Sequence, residues 1–274
     1  MLKQDALSKF KKINTIYFRP YTLINYSMDI LQFFEFYHDI QDVESFETDH
    51  VEKWLEHLHE SGLSSNTVNN KYYAVKSLYD SLNEETDIKV NPTVGVELPK
   101  RKTGILPVVD RITMFKLREA MKDNIRDRTI LETFYATGAR SQELCDIQIS
   151  HLRLGDRQIV IPKGKELKPR IIVFTPYCQE WIRTYLSTRH DDSPYLFITK
   201  LKGPFIRQSM WQLMMLYSKS IKLKKNMSPN AFRRTFATIL YKNGVPIHYI
   251  SLLMGHASIK NTERYIKMDF ADFI

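Results

Sequence analysis

The sequence predicts a mainly α-helical protein in two domains, with one small β-sheet in the second. Apolar residues recur at helical spacing over most of the 274 residues. That spacing gives way once, to two short β-branched runs at 157–161 and 170–174. Residues 91–107 place Pro92, Pro99 and Pro107 around Lys100, Arg101 and Lys102, a composition that breaks helices and leaves an exposed basic connector. With 43% apolar residues the chain can bury a substantial core.

In chain order, residues 1–12 are polar and charged, without an apolar leader segment, and no run approaches the roughly 18 residues of a membrane span. Residues 16–40 are rich in aromatic and aliphatic side chains, and Tyr21, Ile24, Met28, Leu31 and Phe34 are predicted to form one buried stripe. A second helix is predicted over 48–60, ending near Gly62, and a third starts after Ser64 or Ser65, either able to cap it. This divides the chain into a helical domain at 1–98, a basic linker at 99–106 and a second domain at 107–274. In the latter, helices are expected at 110–122, 127–137 and 141–147. The hairpin follows, its long basic tip carrying Lys163, Lys165 and Lys168. Helices resume near 176–187, 206–221, 229–242, 246–254 and 258–267.

Charge is divided along the same line. The formal charge is +9 and the pI near 9.3, which favours a polyanionic partner. Residues 1–98 carry 9 Lys and Arg against 16 Asp and Glu, a net of −7, whereas the remainder carries 31 against 15, a net of +16. The basic field therefore belongs to the second domain. Cys145 and Cys178 alone make neither a disulfide framework nor a metal cluster, and fit a reducing, cytoplasmic compartment.

The second domain also holds the chemistry. Gly138 allows a tight turn before Arg140, and Ser141 begins a new helix; Arg233 follows another helix start at Ser228-Pro229; His256 follows Gly255 at a helix end; and Tyr265 lies nine residues further on. Two guanidiniums suit a phosphate, being bidentate donors with permanent charge. A phenol of ordinary pKa about 10 needs such surroundings, or a base, to become a nucleophile. With Lys163 as an ammonium able to protonate a leaving oxygen, the set reads as a phosphoryl-transfer site that calls for neither metal nor nucleotide cofactor. Glu143 reads as the residue that orients Arg140.

The segments TGARSQEL, SPNAFRRTFAT and LLMGHASIKNTERY resemble, in order and spacing, the three signature boxes of the tyrosine recombinase (phage integrase) family. The resemblance implies an N-terminal core-binding (SAM-like) domain and a mixed α/β catalytic domain that close as a clamp on double-stranded DNA. It implies strand cleavage and rejoining through a covalent 3′-phosphotyrosyl link on Tyr265, with a 5′-hydroxyl that attacks the partner strand. Lys163 is singled out by the family pattern; Lys165 and Lys168 are left to phosphate contacts. In similar proteins the region of Asn66, Thr67, Asn70, Lys71 and Lys76 enters a major groove, although these residues fit a solvated helix face equally well. Lys100, Arg101 and Lys102 would meet the backbone from the linker.

One box departs from the pattern. Family members usually carry His where this chain has Asn230, one helical turn before Arg233. An amide donates and accepts hydrogen bonds but takes no proton at neutral pH. A base, if one is needed, is then solvent, His256 or the phosphate itself, and the expectation is slower cleavage with activity retained. Two alternatives stand beside a site-specific recombinase: a catalytically impaired DNA-binding protein of the same fold, and a type IB topoisomerase-like enzyme. The resemblance further implies a homo-tetramer synapsed on DNA, compatible with a monomer off it and with a nucleoid-associated location. The apolar residues after Tyr265 (Met268, Phe270, Phe273, Ile274) would dock on a neighbouring subunit. Integration, excision, inversion and resolution all use this chemistry.

Overall fold

The computed structural model describes residues 1–100, 107–162, 169–224 and 227–266. The chain forms two compact units, Met1–Gly104 and Ile105–Ile274.

The first unit is built from α1 (Lys3–Asn14), α2 (Pro20–Phe36), α3 (Thr48–Glu60) and α4 (Ser65–Glu85). Helix α4 begins at Ser64, whose hydroxyl accepts the Thr67 N–H, and packs against each of the other three. Phe10, Ile30, Phe33, Phe46, Trp54, Leu78 and Tyr79 form the centre of its core. Two expectations need correction. Helix α1 is an additional element, docked through Ala6, Leu7 and Phe10 and tied to α4 by Asn14 Nδ2 donating to Ser81 Oγ at 2.9 Å. Helix α2 turns Ser27, Ile30, Phe33 and Phe34 inward, so Tyr21, Ile24, Met28 and Leu31 are exposed and only Phe34 of the predicted stripe is buried. Apolar residues lie almost all round this helix, and the partner helices decide which face is covered.

The second unit starts with α5 (Arg111–Ala120), α6 (Ile125–Thr137) and the short α7 (Ser141–Asp146). A three-stranded antiparallel sheet follows, in the order β1 (Leu152–Arg153), β2 (Gln158–Ile161), β3 (Arg170–Val173), with Ile161 opposite Arg170. β1 adds a strand to the predicted hairpin. The remaining helices are α8 (Pro176–Ser187), α9 (Arg207–Ser220), α10 (Pro229–Lys242), α11 (Ile247–Met254) and α12 (Ile259–Ile266). No helix among the described residues is long and apolar enough to cross a membrane.

Helix α6 is buried nearly all round, between α8, α10 and β3. Its polar face is satisfied internally. Glu132 accepts from Arg118 Nε and Nη2 and from Arg128 Nε, each at 2.8 Å. Removing that carboxylate would strand two guanidiniums, one of them buried. Glu132→Ala is therefore expected to lower unfolding stability by roughly 3–5 kcal/mol in denaturant titration.

Candidate active site

Two helices that end in glycine place the site. Helix α6 stops at Gly138 (φ 59°) and α11 at Gly255 (φ 60°), both left-handed. At Gly138 the conformation is reinforced by crowding, since a Cβ would stand 2.5 Å from the Phe236 ring. The chain then leads into α7 with Arg140 preceding its first residue. Glu143, one turn on, accepts the Arg140 N–H at 2.7 Å and Arg140 Nη1 at 2.9 Å. Glu143 thus orients Arg140, as the sequence suggested.

The last carbonyls of α11 lack helical partners and carry the negative end of the helix dipole. Three arginines converge on them. Arg140 Nη2 donates to Gly255 O at 2.7 Å, Arg233 Nη2 donates to Met254 O, and Arg170 Nε donates to Leu253 O at 3.2 Å. Arg233 also donates through Nη1 to Gly138 O at 2.6 Å, joining the two glycine turns. It is only 2% exposed, whereas the Arg140 side chain is 38% exposed. Burial, and then the neighbouring Arg140, push the Arg233 pKa down.

His256 follows Gly255, and its Nδ1 lies 2.7 Å from the hydroxyl of the fully buried Thr262. The Tyr265 ring meets the His256 ring edge-on, with centroids 5.5 Å apart. It also packs on the small cluster of Ala237, Ile250, Met254 and Ile266 between α10, α11 and α12. Arg140, Arg233, His256 and Tyr265, scattered over half the sequence, are therefore brought together. Asn230 is exposed on the first turn of α10, one turn before Arg233. Arg234, its neighbour, is buried and donates twice to Pro107 O, at 3.0 and 2.9 Å, which pins the start of the second unit.

Burial, then the charges of Arg233, Arg140 and Arg170, lower the His256 pKa to about 4. At pH 7 it is a neutral imidazole, able to donate or accept at Nε2. The unfolded value is about 6.5. As pH falls through that value towards 4, the unfolded chain takes up a proton that the folded one refuses, and stability declines. The expected NMR result is that the His256 ring signals hold constant from about pH 8 to about pH 5.5 and move only below that.

The residues expected to face DNA differ in their surroundings. Asn66, Thr67 and Asn70 are exposed on the first turns of α4, and Lys100 is exposed. Lys71 and Lys76 are held within the unit, Lys71 by Asp29 (2.6 Å) and Gln32 (2.6 Å) and Lys76 by both Asp80 oxygens (2.9 Å). Lys163, Lys165, Lys168, Arg101 and Lys102, and the tail from 267 onwards, lie outside the described residues. Sequence reasoning missed two residues. Thr262 sat in a motif without a role. Arg170 offered one local signal, a long cation opening an otherwise β-branched strand.

Fold and site together define a class, enzymes in which a tyrosine beside paired arginines works on DNA strands. Residues 109–272 match the phage integrase family, and residues 17–86 match the phage integrase N-terminal SAM-like domain. The chain belongs to the phage integrase family, the tyrosine recombinases. It is 33% identical to tyrosine recombinase XerA of Pyrococcus horikoshii over 221 residues, 79% of this chain and 74% of that one. With tyrosine recombinase XerC of Bacillus subtilis it shares 28% identity, covering 90% and 86%. Among solved structures, a lambda integrase dimer bound to a COC′ core site superposes with TM-score 0.81 at 16% identity, covering 97% of this chain and 77% of that one. The Tn1549 transposon integrase with transposon right-end DNA gives 0.78 at 17%, covering 100% and 98%.

Proposed function

We propose that this recombinase cleaves one strand of duplex DNA by attack of Tyr265 on a phosphodiester held by Arg140 and Arg233, then passes the strand to a second duplex. The observation that carries the assignment is the convergence of both guanidiniums on the α11 terminus, beside the His256–Tyr265 ring pair. As the phenol oxygen bonds to phosphorus, the 5′ oxygen leaves and takes a proton, which Lys163 is suited to give. The phenol proton passes to His256, to solvent or to the phosphate, since the Asn230 amide is not a base. Arg140 and Arg233 stabilise the charge on the non-bridging oxygens. Rejoining is the same step reversed, with a 5′-hydroxyl displacing Tyr265.

DNA is engaged by residues 99–274, with their net charge of +16, and by Asn66, Thr67 and Asn70 on α4. Lys71 and Lys76 join them on release from their carboxylates, with Lys100, Arg101 and Lys102 in the linker and Lys165 and Lys168 on the hairpin. The boundaries 1–98, 99–106 and 107–274 serve this arrangement. Four copies assemble on two sites, each tail docked on a neighbour, at the nucleoid. The exposed apolar stripe of α2 supports assembly, being a face that free monomers rarely leave bare.

The test starts from sequences that the protein selects out of a randomised duplex library. A nicked duplex built on them, which loses a short fragment after cleavage, should trap a covalent protein–DNA adduct. Binding without adduct would favour the impaired DNA-binding protein. Strand exchange between two such duplexes, against relaxation of supercoils alone, separates a recombinase from a topoisomerase.

A further inference from the structure

Arg170 opens β3, yet its side chain belongs to the catalytic cluster. Nη1 and Nη2 donate to Oε1 and Oε2 of Glu143, both at 2.8 Å, in a bidentate pair. Its Nε holds Leu253 O at 3.2 Å. The guanidinium lies flat against the Gly255 turn, where a Cβ would come within 2.8 Å of Nη1. Unlike Arg233, Arg170 has its charge paired in place by a carboxylate, with Nε and both Nη engaged within the protein.

The geometry points to Arg170 as a positioning residue for strand cleavage, one that fixes Glu143 and the last turn of α11 and so sets Arg140 and His256 against the phosphate. This rests on the reading of the site given above. Glu143 receives two donors on each oxygen, one from Arg140 and one from Arg170. Burial works to raise its pKa, but the Arg170 hydrogen bonds, and then Arg140, hold it at about 2. Without Arg170 that carboxylate would have Arg140 alone as partner and would draw its guanidinium away from substrate. The second contact acts on α11. Leu253 O lies beside the two carbonyls that hold Arg233 and Arg140, and His256 follows them directly. One side chain thus anchors both the residue that aims Arg140 and the platform that carries the remaining groups. It also ties this cluster to β3, the strand antiparallel to β2.

The experiment uses the full chain and the nicked duplex described above. It compares Arg170→Ala and Arg170→Lys in the parent and in a Glu143→Gln background, reading duplex affinity and the single-turnover adduct rate at saturating DNA. Rates at saturation count only folded, bound molecules. Arg170→Ala should bind DNA within about 3-fold of the parent and form adduct about 100-fold more slowly, the scale of an ångström-sized misplacement. Arg170→Lys should stay near the Ala value, because one ammonium does not span two carboxylate oxygens and Leu253 O. In the Glu143→Gln background the same change should cost clearly less than in the parent, about 10-fold, since the carboxylate partner is already gone and only the hold on Leu253 O remains to be lost. A parent-like rate, a loss confined to affinity, or losses that multiply in the double variant would overturn the assignment. Absence of adduct with the parent protein would instead defeat the reading of Tyr265 as nucleophile.

Discussion

Tyr265→Phe is expected to bind duplex DNA with the affinity of the parent and to form no covalent adduct, a loss of at least about 10⁴-fold of the kind seen when the nucleophile of a catalytic unit is deleted. The substitution removes one oxygen and leaves the packing untouched. The ring still meets His256 edge-on at 5.5 Å and still covers Ala237, Ile250, Met254 and Ile266. Melting temperature should therefore match the parent, and Arg140 and Arg233, proposed to hold the phosphate, remain in place. Gel separation of adduct from the nicked duplex under denaturing conditions reads the outcome directly. The sequence contains fifteen tyrosines, and Tyr249 is exposed on α11, the neighbouring helix. Adduct persisting in Tyr265→Phe would move the nucleophile to one of these and dissolve the assignment of α12.

Most of this site was legible because its determinants are local. Gly138 and Gly255 mark helix ends, Pro229 opens α10, and Arg140, Asn230, Arg233, His256 and Tyr265 each stand within two residues of such a mark or one to three turns beyond it. The β-branched runs at 157–161 and 170–174 announced the hairpin for the same reason. What remained hidden depends on partners distant in sequence. The inward face of α2 is chosen by α1 and α4, against which it packs, and its own composition gives no preference. Helix α1 carries only a few apolar residues among its charges, and its packing is explained by α4, including the Asn14–Ser81 bond across 67 positions. Arg170 meets Glu143 27 positions earlier and Leu253 83 positions later. Lys71 is a cation on a suitable helix face, but Asp29, 42 positions earlier, became visible as its partner only with the fold, whereas Asp80, four residues after Lys76 on the same helix, lay within reach of the sequence.

Arg233→Ala is expected to cut the adduct rate at saturating DNA by about 10³-fold, the effect of removing a preorganised donor from a developing anion. Arg233 differs from Arg140 in how it is held. Arg140 is aimed by a carboxylate and remains partly exposed, whereas Arg233 is fixed by two backbone carbonyls, Gly138 O and Met254 O, at the ends of two helices. Each Nη keeps a second N–H, so the fork can hold both turns and still present donors to a phosphate. Alanine removes donor and brace together. Gly138 O loses this donor and Met254 O keeps only the long bond from Arg140 Nη1 at 3.5 Å, which should lower unfolding stability by roughly 1–3 kcal/mol for each carbonyl left unpaired where water does not reach. Lysine offers a single ammonium and does not bridge both turns, so Arg233→Lys should stay within about 10-fold of the alanine variant in rate. The comparison discriminates sharply. If lysine restored the parent rate, charge alone would suffice at this position, and the bidentate geometry joining Gly138 to Met254 would have no part in the chemistry.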